Sequence, residues 1–129
     1  MENKIFSSLS IFPAKDMKKT AEYYEKVLGF KSVEYLSSSQ PHICLYRDDV
    51  EIVLISSNAK NILINRDYYG YDCEDGYFIS KELDYLLEEF KNKGAKIVKD
   101  LEVTDYNNRE FIVEDIDGRW LAFGIKIKI

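Results

Sequence analysis

One histidine, two cysteines and a scatter of carboxylates are the groups from which chemistry would have to be built in this 129-residue chain. His42 is the sole imidazole, so a Ser-His-Asp relay or a histidine-rich metal cage would depend on it alone. A lone histidine is more often a hydrogen-bonded or surface residue than a ligand. Cys44 and Cys73 stand apart with no Cys-x-x-Cys pairing. They read as two small buried hydrophobes in a reducing compartment. No Gly-x-Ser-x-Gly elbow, phosphate loop or dinucleotide fingerprint is present. Acid–base work by Asp75, Glu51 or Glu110 would require burial to raise a carboxyl pKa. Tyrosine is abundant, with ten residues. Tyr68, Tyr69 and Tyr71 cluster in the middle of the chain, and Tyr106 precedes Glu110. Such side chains either seal sheet edges and interfaces or line a cleft, where they offer contact area at low entropic cost.

The elements that must position these residues follow two periodicities. Strand-like runs fall at 5–12, 30–36, 42–47 and 50–56, with a tight turn at Asp48-Asp49. Between the first two runs, Met17, Ala21, Tyr24 and Leu28 recur at helical spacing, which predicts a helix over 16–28. Asp16 is suited to cap its amides, and Gly29 sits where a left-handed cap belongs. The second half repeats this order. A strand at 77–80 leads to a helix at 82–93, with Leu83, Leu86, Leu87 and Phe90 on one face and Gly94 at its end. Strands follow at 96–100, 110–114 and 119–125, the last two joined through Ile116-Asp117-Gly118. Matching features (Asp16 with Glu82, Gly29 with Gly94, Asp49 with Gly118) recur about 65 to 70 residues apart, the mark of a duplication. The reading is one domain over 1–129: module one at about 1–57, an irregular connector at 58–74, and module two at about 75–129.

Bulk properties narrow the function classes. The chain is 46% hydrophobic and 32% charged, a globular composition. Its formal charge of −5 argues against non-specific binding to nucleic acid or to an anionic membrane. No apolar run approaches the roughly 18 to 20 residues that span a bilayer. No signal peptide is visible, so the expected location is the cytoplasm.

The segments Phe12-Pro13-Ala14-Lys15-Asp16-Met17 and Thr20-Ala21-Glu22-Tyr23-Tyr24-Glu25-Lys26-Val27-Leu28-Gly29-Phe30 resemble those of the vicinal oxygen chelate superfamily. So does the late run Arg109-Glu110-Phe111-Ile112-Val113-Glu114-Asp115-Ile116-Asp117-Gly118-Arg119-Trp120. This superfamily includes glyoxalase I, extradiol dioxygenases, and fosfomycin- and bleomycin-resistance proteins. The resemblance spans nearly the whole chain. It implies an α+β fold of two β-α-β-β-β modules forming a curved mixed sheet with a concave ligand cleft, and a homodimer. It also places the metal positions of the superfamily's enzymes at Leu9, Val53, Asp75 and Ala122. Three of those four side chains have no donor atom, and one carboxylate alone does not organise a catalytic metal.

If those four positions face the cleft, strand alternation puts Glu51, Ile55, Tyr77 and Trp120 beside them, with Leu121 and Phe123 in the core. The expected ligand-binding set is Glu51, Asp75, Tyr77, Trp120, Tyr106, Leu9, Val53 and Ala122, with no metal, no cofactor and no catalytic residue. Aromatic plates and carboxylates suit a planar or cationic organic molecule. The expected function is metal-independent binding of such a compound, as in the bleomycin-resistance proteins that sequester a drug. The alternatives are a glyoxalase-like lyase, isomerase or dioxygenase using a divalent metal or acid–base carboxylates, and an interaction module whose cleft holds a peptide.

Overall fold

Alternation along each strand decides which side chains are buried, and the helices cover one face of each sheet. The computed structural model describes residues 3–58 and 62–128. Strands β1 (Ser10–Ala14), β2 (Lys31–Tyr35), β3 (His42–Arg47) and β4 (Val50–Ser56) form a mixed sheet in the order β1-β4-β3-β2, with β1 parallel to β4. Strands β5 (Gly76–Ile79), β6 (Lys96–Val103), β7 (Asn108–Glu114) and β8 (Trp120–Lys126) repeat that order as β5-β8-β7-β6. Helix α1 (Met17–Lys26) covers the first sheet and α3 (Leu83–Asn92) the second. This α+β architecture of two β-α-β-β-β modules is the one expected from the duplicated pattern.

Phe12, Ile43, Leu45, Ile52 and Leu54 of the first sheet merge with Phe111, Val113, Leu121 and Phe123 of the second in one core. Tyr24 and Leu28 from the α1 segment, and Leu83, Leu87 and Phe90 from α3, complete it. Asp16 caps α1 by accepting from the amides of Lys18 and Lys19 at 3.1 and 3.2 Å. Gly29 closes it at φ +75°, where a Cβ would lie 2.6 Å from Arg47 Nη1.

The modules hold each other by a reciprocal exchange, the hairpin of each docking on the helix of the other. The turn between β7 and β8 carries Asp115, Asp117 and Arg119, all buried, onto α1. Arg119 donates through Nε to Asp115 Oδ2 at 2.9 Å and through Nη2 to Asp117 Oδ2 at 3.0 Å. Its Nη1 donates to the carbonyl of Pro13, and its guanidinium lies 4.7 Å over the ring of Phe12. Thr20 Oγ1 donates to Asp117 and Tyr24 Oη to Asp115, both at 2.6 Å. On the other side Arg47, at the end of β3, makes a bidentate pair with Glu89 of α3 at 2.7 and 2.9 Å.

Three sequence expectations are corrected. The first strand pairs only from Ser10, leaving Ile5 and Phe6 ahead of the sheet and 85% and 93% exposed. The connector is not irregular throughout: Asn65–Tyr69 forms a short helix, α2, closed by Gly70 at φ +79°. Its reason is local, because Asp75 tethers the α2 backbone (below) and Ile62 and Ile64 are buried beside it. Cys73 is partly exposed, not a buried hydrophobe, whereas Cys44 is buried; both are free thiols. Among the described residues, no helix is long and apolar enough to cross a membrane.

Candidate functional site

The faces turned away from the helices are where chemistry is available, and those of the two sheets differ. On β7 the even-numbered residues Asn108, Glu110, Ile112 and Glu114 point to the open side, opposite Gly124, Ala122 and Trp120 of β8. Tyr77 of β5 pairs in register with Ala122. Its phenol crosses the sheet above Gly124, where an added Cβ would collide with that hydroxyl and lie 2.6 Å from Glu110 Cβ. Glycine is therefore required for this close approach.

Tyr77 Oη donates to Glu110 Oε1 at 3.1 Å and accepts from Asn108 Nδ2 at 2.9 Å. Tyr106 Oη donates to the other oxygen, Oε2, also at 3.1 Å. Tyr106 reaches back because the β6–β7 turn is tight. Asn107 adopts φ +64°, its amide bonds the carbonyl of Thr104 at 3.1 Å, and Thr104 Oγ1 accepts from the amide of Asn108. Glu110 is only 4% exposed, yet among the described residues no lysine or arginine pairs with it. Burial, then the hydrogen bond to Glu110, pushes the Tyr77 phenol up to about 12. The Tyr106 phenol is raised for the same two reasons. Both remain donors at neutral pH. A cavity of about 650 Å³ opens beside the cluster, lined by Glu110 and Tyr106 together with Tyr71, Cys73, Lys99 and Glu102.

Farther along this face, Trp120 and Asp75 are engaged in holding the connector. Asp75 accepts from the amide of Asn65 at 2.8 Å and from the amide of Trp120 at 3.0 Å. The Arg66 guanidinium lies 4.1 Å over the Trp120 ring, whose Nε1 donates to Glu114 Oε1 at 3.1 Å. Glu114 also receives Lys96 at 2.9 Å. Burial opposes its ionisation, but the bonds from Lys96 and Trp120 outweigh that, and its pKa is lowered. One face of Trp120 is thus covered by Arg66.

The remaining expected residues lie on the first sheet. Glu51 is opposite Tyr46, and Val53 lies between Cys44 and Ile11. Leu9 precedes β1 and is 46% exposed. Tyr35 and His42 stack on the same face, with centroids 5.0 Å apart, and His42 Nδ1 sits 2.7 Å from the carbonyl of Gln40. So Tyr77, Ala122, Trp120, Asp75 and Tyr106 share the second sheet's side, and Glu51, Val53 and Leu9 the first's. The cavity beside Glu110 is lined by Tyr106 but not by Glu51 or Val53. Glu110 and Asn108 are the residues the sequence argument left out of the binding set. The alternation of β7 could have found them, since it puts a carboxylate opposite a glycine on the open face.

The superfamily's metal does not fit this residue set. Of its four positions, Leu9, Val53 and Ala122 offer no donor, and both oxygens of Asp75 already accept backbone amides. Among the described residues, no three His, Cys, Asp or Glu side chains gather as ligands.

This construction, two β-α-β-β-β modules with open faces, defines a class that comparison with solved structures identifies. No protein-family model and no curated protein matches the chain. The structure of a glyoxalase/bleomycin resistance protein/dioxygenase from Alicyclobacillus acidocaldarius superposes with a TM-score of 0.74 at 18% identity, covering 99% of this chain and 96% of that one. A glyoxalase-related enzyme from Clostridium phytofermentans gives 0.71 at 18% identity, over 98% of this chain and 100% of that one. TioX from Micromonospora sp. ML1 gives 0.69 at 16% identity, over 94% and 100%. The chain shares the fold of these structures.

Proposed function

We propose that the chain, acting as a single domain, binds a small organic cation without a metal, seating its charge against Glu110 on the open face of the second sheet. The observation that carries this reading is a buried carboxylate held only by neutral donors at the edge of a cavity. An ionised group out of water is costly unless matched by opposite charge, so a ligand cation relieves what Tyr77 and Tyr106 only partly compensate. Phenol rings beside the carboxylate favour a cation with planar or methylated character. Trp120 and Asp75 lie farther along that face, and Ala122, fully buried, backs it without facing a ligand. Glu51, Val53 and Leu9 contribute from the first sheet in a homodimer that brings open faces together. Exposed apolar residues favour that dimer: Ile11 is 60% and Ile79 78% exposed. Sequestration in the cytoplasm, in the manner of a drug-binding resistance protein, is the role that fits a site without a metal set.

A second reading rests on the chain of hydrogen bonds Asn108–Tyr77–Glu110. It is the arrangement of an acid–base catalyst, with Glu110 taking a proton from a bound substrate.

Thermal unfolding with a panel of organic cations, their neutral isosteres and divalent metals tests both readings. A cation at about 100 times its dissociation constant should add roughly 2.7 kcal/mol, a shift of several degrees, while its isostere and the metals shift little. Stabilisation by a transition metal instead would sink the proposal. Turnover of a stabilising compound, lost in Glu110→Gln, would establish the second reading.

A further inference from the structure

The duplication places the two hairpin–helix contacts in equivalent positions, and their fillings differ. Phe12 and Leu54 pair across the first sheet as Phe78 and Phe123 do across the second. By the same correspondence Thr20 and Tyr24 of α1 match Leu86 and Phe90 of α3, and Arg119 matches Val50. In the first contact Asp115 and Arg119, joined by the bond from the Asp115 amide to the Arg119 carbonyl at 2.8 Å, flank a three-residue loop, 116–118. That length folds the Arg119 guanidinium over Phe12 and closes the space. In the second, Arg47 pairs with Val50 and leaves only Asp48-Asp49 as a loop. Counted between the matching positions, Asp115 to Arg119 and Arg47 to Val50, the turn is one residue shorter, and valine replaces arginine. The two hydroxyls that bond the buried aspartates, those of Thr20 and Tyr24, are replaced by apolar groups in the second.

The consequence is a cavity of about 220 Å³ at the second contact, walled by Phe30, Phe78, Phe90, Phe123, Leu86 and Val50, with Arg47, Asp48, Asp49 and Ser80 also lining it. Its rings are already arranged as a box. Phe78 and Phe123 stack at 5.0 Å and 23°, and Phe90 meets Phe123 edge-on at 5.0 Å and 60°. Of the charged residues that line it, Arg47 is engaged by Glu89 and by the carbonyl of Leu28, while Asp48 and Asp49 are exposed to solvent. Cavities of roughly 150 Å³ lined by such side chains bind benzene, and interiors otherwise close-pack.

From this juxtaposition we propose a second binding site, between the β3–β4 turn and α3, for an uncharged aromatic molecule of one or two fused rings. It lies on the helix side of the sheets, away from Glu110, and takes the opposite chemistry: no charge, with the ring completing the stack of Phe78, Phe90 and Phe123.

Titration of the methyl-labelled full chain with indole, followed by NMR, tests the site. Indole should move the Leu86 and Val50 methyl signals saturably and leave Ile112, on the Glu110 face, in place. Benzylamine and benzoate should bind about tenfold or more weakly, because each brings a charge that the apolar walls do not match. Val50→Phe, which fills the cavity, should abolish the shifts. Because that variant could fail to fold, Leu86→Ala serves as a second, enlarging the box so that a fused ring gains on a single one. Movement confined to Ile112, unchanged affinity in Val50→Phe, or equal binding of benzylamine would each overturn the proposal. A Glu110→Gln chain should bind indole unchanged, so this site and the cation site fail independently.

Discussion

Two groups of buried carboxylates in this molecule have opposite surroundings. Asp115 and Asp117, 5% and 9% exposed, are matched by Arg119 and further satisfied by Thr20, Tyr24 and backbone amides. Glu110, 4% exposed, receives two phenols and no cation among the described residues. The first group is a complete network whose members all lie within the chain, joining the hairpin of one module to the helix of the other. The second is incomplete in charge and borders a cavity. A completed network is structure, and an incomplete one at a cavity is where a ligand supplies the missing partner.

Arg119→Met breaks the first group most severely. It leaves two carboxylates buried without their cation, and should cost about 3–5 kcal/mol in chemical denaturation. A loss under about 1 kcal/mol would mean that the hairpin opens to water and the contrast is not real. Gly124→Ala acts on the second group by forcing a Cβ against Glu110 and the Tyr77 hydroxyl. Relaxation should displace the phenol at a cost of about 1–3 kcal/mol, with a change in tyrosine near-ultraviolet dichroism. Glu110→Gln should shift stability by no more than about 1 kcal/mol, since the amide keeps hydrogen bonds and no internal ion pair is lost. A penalty as large as that of Arg119→Met would mean that Glu110 belongs to a complete network after all.

The smallest effect is in the phenols. Tyr77 stays protonated up to about 12, through burial first and Glu110 second, and burial with Asp115 holds the Tyr24 phenol well above its ordinary value. A folded pKa above the ordinary 10 means that these groups stabilise the fold fully below pH 10 and lose that contribution as pH rises through the folded value. Alkaline titration of phenolate absorbance should therefore show late-ionising tyrosines. Glu110→Gln should bring the Tyr77 and Tyr106 phenols down while leaving Tyr24 unmoved.

Much of the fold was legible because it rests on short-range periodicity. Helical spacing in Met17–Lys26, the β-rich runs of β4 and β8, and glycines at 29 and 94 each specify local structure that the core then reinforces. The turn Ile116-Asp117-Gly118 was legible as a hairpin, but the burial of Asp115, Asp117 and Arg119 on α1 depends on contacts across some 90 residues of sequence, and nothing local announces it. The same reason hid α2, whose anchor is Asp75, ten residues away. Asp75 was expected on the open face as a binding carboxylate. Its oxygens go to the amides of Asn65 and Trp120. Trp120 was expected as an exposed plate and carries Arg66 on one face. Tyr77 and Tyr106 were anticipated as aromatic surface, and their convergence on Glu110 appears only when β5, β7 and the β6–β7 turn are assembled.

Calorimetric titration of the wild type and of Glu110→Gln with phenyltrimethylammonium and its neutral isostere tert-butylbenzene tests the central claim most directly. If Glu110 holds the ligand's charge, the cation binds the wild type at least about tenfold more tightly than the variant, and the isostere does not distinguish them. Equal affinity of the cation for both proteins would contradict the account, whatever its absolute strength.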